Sequence, residues 1–275
     1  MNKPFVTVII PTYKDWDRLK MCIDALLIQS YGMRDFEIIV VNNDAEDKTG
    51  FIHKKVILIA ETKPGSYAAR NAALKIAKGK YVAFTDSDCK PDKEWLTNAI
   101  EKLELGVTER VAGRVELFYE NDPLTFSDIF EKAFAFNQRL YVEQGFSVTA
   151  NLITKKSVFD RVGLFDESLM SGGDVKWNKR ATELGVSLKY CDECTVYHPS
   201  RGDINEIKIK LMRVFTGRVK SQQVDLMDYI KLLLPPVNVI KELKDNKRLT
   251  FKDCIIAFSM RYFTKLYVVY KLVLG

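Results

Sequence analysis

Apolar and polar positions alternate along the chain with two periods, and the alternation predicts its elements. Phe5–Thr12 (FVTVIIPT) is a continuous apolar run that meets Pro11, where the strand is expected to stop. Such a run is the pattern of a strand covered on both faces. WDRLKMCIDALLIQS then places Leu19, Cys22, Ile23, Leu26 and Leu27 on one helical face. FEIIVVNN (Phe36–Asn43) and KKVILIAE read as two further buried strands, SYAARNAALKIAKG as an alanine-rich helix stopping at Gly79, and KYVAFTDSD as a fourth strand. Strands buried on both faces and separated by helices imply a parallel sheet with crossover helices.

After the helix PDKEWLTNAIEKLEL the pattern changes. RVAGRVELFY reads as a strand, and the stretch from there to about Leu152 shows no regular period. KKSVFDRVGLFDESL leads through Gly172 and Gly173 into the helix DVKWNKRATELG, and VSLKYCDECTVYHP closes the region as strands. From about Gly202 the pattern is helical, basic and amphipathic, which sets the expected organisation. Residues 1–202 form an α/β domain, divided into 1–112 and 113–202, and 203–275 form a helical extension.

The ends of the parallel strands collect the polar chemistry: Pro11-Thr12-Tyr13, Asn42-Asn43-Asp44, the residues from Glu61, and Asp86-Ser87-Asp88. Ligands of open α/β sheets gather at such carboxyl ends. Asp86 and Asp88, one residue apart, point to the same side of an extended chain. Two readings stand open: an acidic turn leading into the helix after Pro91, or carboxylates for a divalent cation holding a diphosphate. Asp174, after Gly172-Gly173, reads as a helix N-cap.

Composition narrows the partners. A net charge of +6 over 275 residues suits an anionic ligand or membrane face but does not indicate nucleic acid. Five cysteines at irregular spacing give no disulfide framework, so a reducing, cytoplasmic setting is expected. Cys191-x-x-Cys194 with His198 lacks the second pair of a structural zinc site. The missing glycine-rich loop after the first strand argues against a dinucleotide oxidoreductase or a nucleotidyltransferase.

Four ordered blocks, VTVIIPTYKDWDRLKMCIDALLIQSY, FEIIVVNNDAEDKT, GSYAARNAALKIAKGKYVAFTDSDCKP and GLFDESLMSGGDVKWNKRATELG, resemble family 2 glycosyltransferases over about the first 200 residues. The resemblance implies the GT-A fold, a Rossmann-like, mostly parallel sheet flanked by helices, and inverting transfer from a nucleotide diphosphate sugar, with UDP favoured. It places Pro11, Thr12 and Tyr13 around the base and ribose, and Asn43 at the base. Arg70 falls near the phosphates, and Asp86 with Ser87 on the donor. Asp88 is placed on Mn2+ or Mg2+, with His198 completing the metal site, and Asp174 becomes the general base. Two positions depart from the pattern: Asn42-Asn43 stand where a pair of aspartates is common, and Gly173 stands where many relatives have glutamate.

The other singled-out residues have ordinary readings. His198 is otherwise a partly buried structural imidazole, Arg201 a phosphate contact or a solvated cation, and Trp95 and Trp177 packing residues. The tail from Leu226 mixes Arg261, Lys265 and Lys271 with Tyr262, Phe263, Tyr267 and Tyr270. That mixture suits a helix on an anionic membrane surface, or one packed on the protein with its lysines reaching water. The function expected is addition of one sugar to a lipid-linked saccharide in bacterial surface polysaccharide synthesis, peripheral on the inner face of the cell membrane. The alternative is a non-catalytic nucleotide-sugar-binding scaffold.

Overall fold

The first strand, β1 (Val6–Thr12), is buried along its whole length because it runs between two parallel partners. In the computed structural model, which describes residues 4–44, 46, 53–220 and 226–274, β1 pairs with β2 (Phe36–Asn42) on one side and β4 (Tyr81–Phe84) on the other. The resemblance block at the second strand therefore lies outside the described residues at Ala45 and from Asp47 to Thr49. Between these strands come α1 (Trp16–Leu27), β3 (Val56–Ala60) and α2 (Ser66–Ile76). Alternate residues of β1 feed two cores: Val6, Val8 and Ile10 join Leu19, Ile23 and Leu26 of α1, and Ile9 joins Ala69 and Ala73 of α2. Pro11 does not end β1. Pairing with β4 stops at Ile9 and Phe84, so the proline nitrogen meets no ladder partner that needs a hydrogen.

Next come β5 (Lys90–Pro91), α3 (Trp95–Glu104), β6 (Arg110–Phe118), α4 (Phe126–Phe134), α5 (Gln138–Glu143), β7 (Leu152–Lys155), α6 (Val158–Val162), α7 (Gly173–Glu183) and β8 (Leu188–Pro199). The strand order is β3-β2-β1-β4-β7-β6-β8-β5. Parallel pairing is confined to β3-β2-β1-β4, and β7 runs antiparallel to both β4 and β6. The fold is thus the expected α/β sheet flanked by helices, with its parallel part at the N-terminal side.

The stretch from Gly113 to Leu152, which showed no period, contains two α-helices and a short 3-10 turn at Thr149–Asn151. Helix α4 is introduced by a reciprocal cap in which Thr125 accepts from the Asp128 backbone and Asp128 accepts from the Thr125 backbone. That T-x-x-D signal stands in the sequence, an aspartate variant of the capping box.

The described chain divides into two units, residues 1–116 with 136–198, and 117–135 with 199–275. The second unit therefore takes in α4 together with α8 (Ile204–Lys220), α9 (Leu226–Leu233), α10 (Ile240–Asp245) and α11 (Phe251–Leu274). Ile129, Ala133, Val239, Leu243 and Ala257 form its core. Cys191 and Cys194 are joined by a disulfide, which corrects the sequence reading. In a straight strand, residues three apart face opposite sides. Here the chain bends at Asp192-Glu193, bringing the two Cα atoms to 5.3 Å, within the span of a four-residue turn. The inference of a reducing compartment from cysteine spacing therefore lapses.

Candidate active site

The acidic loop begins where β4 ends. Asp86 closes a turn by accepting the Cys89 N–H on its backbone carbonyl at 3.1 Å. Its carboxylate meets Arg70 Nη2 at 2.6 Å, the guanidinium being buried at 3% exposure. Burial raises the Asp86 carboxyl above its ordinary range, and Arg70 opposes that rise. Asp88 Oδ2 lies 3.4 Å from Nε2 of His198. The loop does not cap the following helix: the N-cap of α3 is Glu94, with no side-chain cap bond.

Asp15, at the start of α1, joins this acidic group, since Ser87 Oγ donates to its Oδ2 at 3.3 Å. Its carboxyl is raised by burial, against the pull of Arg18. Two buried hydroxyls, Thr12 Oγ1 and Thr85 Oγ1, have no hydrogen-bond partner among the described residues. They lie at the ends of β1 and β4, where a polar ligand would satisfy them.

Asp174 lies in the same unit. Helix α7 starts from Gly172, which sits in the left-handed region at φ 78° and is the N-cap, a conformation glycine adopts without strain. Asp174 is thus one residue inside the first turn, so the N-cap reading is corrected. A carboxylate there still gains from the helix dipole. Tyr67 Oη donates to Asp174 Oδ1 at 3.0 Å, the Val175 N–H donates to the same oxygen at 2.9 Å, and the Thr149 N–H donates to Oδ2 at 3.3 Å. The loop before α7 is fixed on α2, because Asn71 exchanges hydrogen bonds with the Phe165 backbone. Helix α2 therefore positions both carboxylate sites, through Tyr67 and Arg70.

The family model described as Glycosyl transferase family 2 matches residues 7–163. Over 238 residues the chain is 33% identical to glycosyltransferase AglE of Haloferax volcanii, covering 83% of this chain and 77% of that protein. The chain is a family 2 glycosyltransferase. Over 127 residues it is 30% identical to the UDP-Glc:alpha-D-GlcNAc-diphosphoundecaprenol beta-1,3-glucosyltransferase WfgD of Escherichia coli, covering 44% of this chain and 47% of that protein. Among solved structures it is similar to the mannosyltransferase PcManGT of Pyrobaculum calidifontis, in complex with GDP-Man and Mn2+. That match has a TM-score of 0.64 and 17% identity, covering 99% of this chain and 87% of the other, a likeness of fold.

In this glycosyltransferase the structure brings Arg70, Asp86, Ser87, Asp88 and His198 together around the loop that follows β4. It distributes the other expected residues differently. Pro11 and Thr12 are buried within β1, and Tyr13 stands exposed beside Lys14, whose Nζ lies 5.4 Å from the ring centroid. Asn43 ties the β2 end to the loop after β3. Its amide donates to the Glu61 and Lys63 carbonyls, each at 2.8 Å, and accepts from the Gly65 N–H at 2.7 Å. The acidic group at that strand end is Asp44, buried and 3.6 Å from Lys14 Nζ. Arg201 belongs to the second unit, where it and Lys210 bind the buried carboxylate of Glu131 at 2.9 and 2.8 Å. Trp95 donates to Asn151 and Trp177 to the Gly163 carbonyl, both as buried packing residues.

The donor set also bears on a metal. Among the described residues, Asp88, Cys89 and His198 bring one ligand atom each within 4.8 Å of one another. A carboxylate with an imidazole fits Mn2+, whereas Mg2+ prefers oxygen alone. Cys89 is fully buried, and burial with the nearby Asp88 and Asp86 raises its thiol well above the ordinary value. Its Sγ–H donates to Asp88 Oδ1 at 3.7 Å.

Sequence reasoning missed Tyr67, Thr149 and Asp15 as members of the site, and named Asp44 only as part of a polar strand end.

Proposed function

We propose that this glycosyltransferase transfers one sugar, with inversion, from a nucleotide diphosphate sugar to an acceptor hydroxyl, UDP being the first choice of nucleotide. The observation that carries the reading is the pair of carboxylate sites hung on α2: Asp86 on Arg70, and Asp174 on Tyr67. Asp88 and His198 would hold a divalent cation, manganese in preference, which when bound neutralises charge on the diphosphate. Arg70 adds a fixed cation beside the acidic loop. Asp44 and Tyr13 offer a base-reading acceptor and an exposed ring at the β1 and β2 ends.

Asp174 takes the acceptor proton as the acceptor oxygen bonds to the anomeric carbon. The bond from that carbon to the phosphate oxygen breaks, and its electrons leave with the diphosphate. One displacement of this kind inverts the centre and requires no carboxylate nucleophile.

The acceptor we assign is a lipid-linked saccharide in surface polysaccharide synthesis, supported by the diphosphoundecaprenol in the name of the E. coli relative. We place the enzyme peripherally on the inner membrane face. No helix among the described residues is long and apolar enough to cross a membrane. Residues 226–275 carry nine Lys and Arg against four Asp and Glu, so +5 of the chain's +6 lies there. The basic and aromatic residues expected to face lipid are partly engaged within the unit: Arg261 lies over the Phe134 ring, Lys265 donates to the Leu234 carbonyl and Tyr262 to that of Leu233. What α11 exposes is an apolar stripe of Phe251 (84% exposed), Ile255, Phe263, Leu266 and Tyr270, which suits an interfacial helix.

Calorimetric titration with UDP, GDP and dTDP, with and without manganese, tests the donor assignment. Manganese-dependent binding of one nucleotide, lost in Asp88→Ala, is expected. Failure of all three nucleotides to bind would leave the non-catalytic scaffold as the better reading.

A further inference from the structure

We infer that Tyr67 is the positioning residue of the Asp174 carboxylate, that Gly173 is required to admit its ring, and that Oδ2 of Asp174 is the oxygen that takes the acceptor proton. This deepens the reading of Asp174 as the general base and rests on it. The argument begins with space. A Cβ built on Gly173 would lie 2.7, 2.8 and 2.9 Å from Cε2, Cδ2 and Cζ of Tyr67, closer than any side chain can sit against a rigid ring. That ring cannot swing away freely, since it is buried at 5% exposure. It also packs on Phe165, with centroids 5.9 Å apart, and under the Arg70 guanidinium at 5.8 Å. The departure at 173 thus has a physical cause: the volume a side chain would take is filled by a phenol arriving from α2.

The phenol replaces what it displaces with a hydrogen bond. Oδ1 of Asp174 accepts from both Tyr67 Oη and the Val175 N–H, so both of its in-plane positions are taken. Among the described residues Oδ2 accepts one long bond, from the Thr149 N–H at 3.3 Å, which leaves a lone pair for the acceptor hydroxyl. Burial and the neighbouring Asp174 raise the Tyr67 phenol far above its ordinary value, so it remains a donor at any working pH. The charged groups acting on this pair are Arg70 on α2 and Asp86 in the acidic loop. A donor fixed on Oδ1 sets the plane of the carboxylate.

Two experiments test this. The first follows nucleotide release from UDP-glucose, UDP-N-acetylglucosamine and GDP-mannose across pH for the wild type, Tyr67→Phe and Asp174→Asn. Phenylalanine keeps the packing and removes only the donor. The expected result for Tyr67→Phe is an unchanged donor KM and a kcat lower by about tenfold. A Tyr67→Phe enzyme with the wild-type kcat, beside an inactive Asp174→Asn, overturns the positioning role while leaving the base assignment standing. An Asp174→Asn enzyme that still turns over at the wild-type rate overturns the base assignment itself.

The second experiment needs no activity. Gly173→Ala is expected to lower the urea midpoint in the wild-type background. In the Tyr67→Ala background, where the ring is gone, it should be neutral or slightly stabilising, because alanine is the better helix former. Equal losses in both backgrounds would show that Gly173 does not exist to admit the ring.

Discussion

The two carboxylate sites of this glycosyltransferase are held by one helix in opposite ways. Asp86 is compensated by charge: a buried guanidinium three residues along α2 from Tyr67 meets it at 2.6 Å. Asp174 is held by neutral donors, a phenol and two backbone N–H groups. The difference matches the tasks assigned to them. A group that organises a charged donor tolerates a fixed counter-charge. A base that must accept a proton can be oriented by neutral hydrogen bonds without a full cation bonded to it. Residues three apart on a helix share a face, so a single element supplies both kinds of support.

The comparison is broken most directly by exchanging the roles. Asp174→Asn should reduce transfer by about a thousandfold or more with nucleotide binding intact, while Asp88→Ala should remove manganese-dependent binding itself. Calorimetry run beside a turnover assay on both variants separates the two, and loss of nucleotide binding in Asp174→Asn would undo the division of labour.

Arg70→Leu comes next, because it strips the charge compensation from Asp86. About 1–2 kcal/mol of stability should go with it, the partial solvent access of Asp86 keeping the loss below that of a fully buried pair. Urea unfolding at pH 7 reads this loss. The variant should recover part of it as pH is lowered, since protonating Asp86 removes the unpaired charge.

A smaller effect is expected on the outer stripe of α11. The triple change Phe251→Ser, Ile255→Ser and Phe263→Ser should reduce co-sedimentation with anionic phospholipid vesicles severalfold, since each buried apolar side chain contributes about 1–2 kcal/mol at an interface. Unaltered sedimentation would leave the stripe to some other partner.

The smallest effect concerns the loop before α7. Asp166 accepts from Lys176 and from Ser168, and these bonds lower its carboxyl from 3.8 to about 2. Its contribution is complete above pH 3.8 and disappears as pH falls toward 2. Asp166→Asn should therefore flatten the acid limb of the stability profile by about 1 kcal/mol after screening, and thermal melts between pH 2 and 5 provide the check.

Much of this architecture is legible in the sequence. The apolar runs at Val6, Phe36 and Tyr81 locate the parallel strands, and a strand's end locates the Asp86–Asp88 loop, since burial on both faces leaves a continuous signal. Helix α4 was equally readable through its cap at Thr125 and Asp128 but carried too short an apolar period to stand out. Asn43 shows the limit. Its position at a strand end was predicted, yet its amide is engaged by the Glu61, Lys63 and Gly65 backbone, a loop that sequence reasoning had no means to bring there.

The sequence by itself determined which segments are the parallel strands, where their polar ends fall, and that two aspartates share one of those ends. These depend on periods of two to four residues, which a chain displays locally. Only the tertiary structure decided which partner each carboxylate receives. Tyr67 and Asp174 are 107 residues apart, and neither residue type signals the other. Their meeting follows from α2 and α7 packing in the same core and from a position, Gly173, kept clear of any side chain.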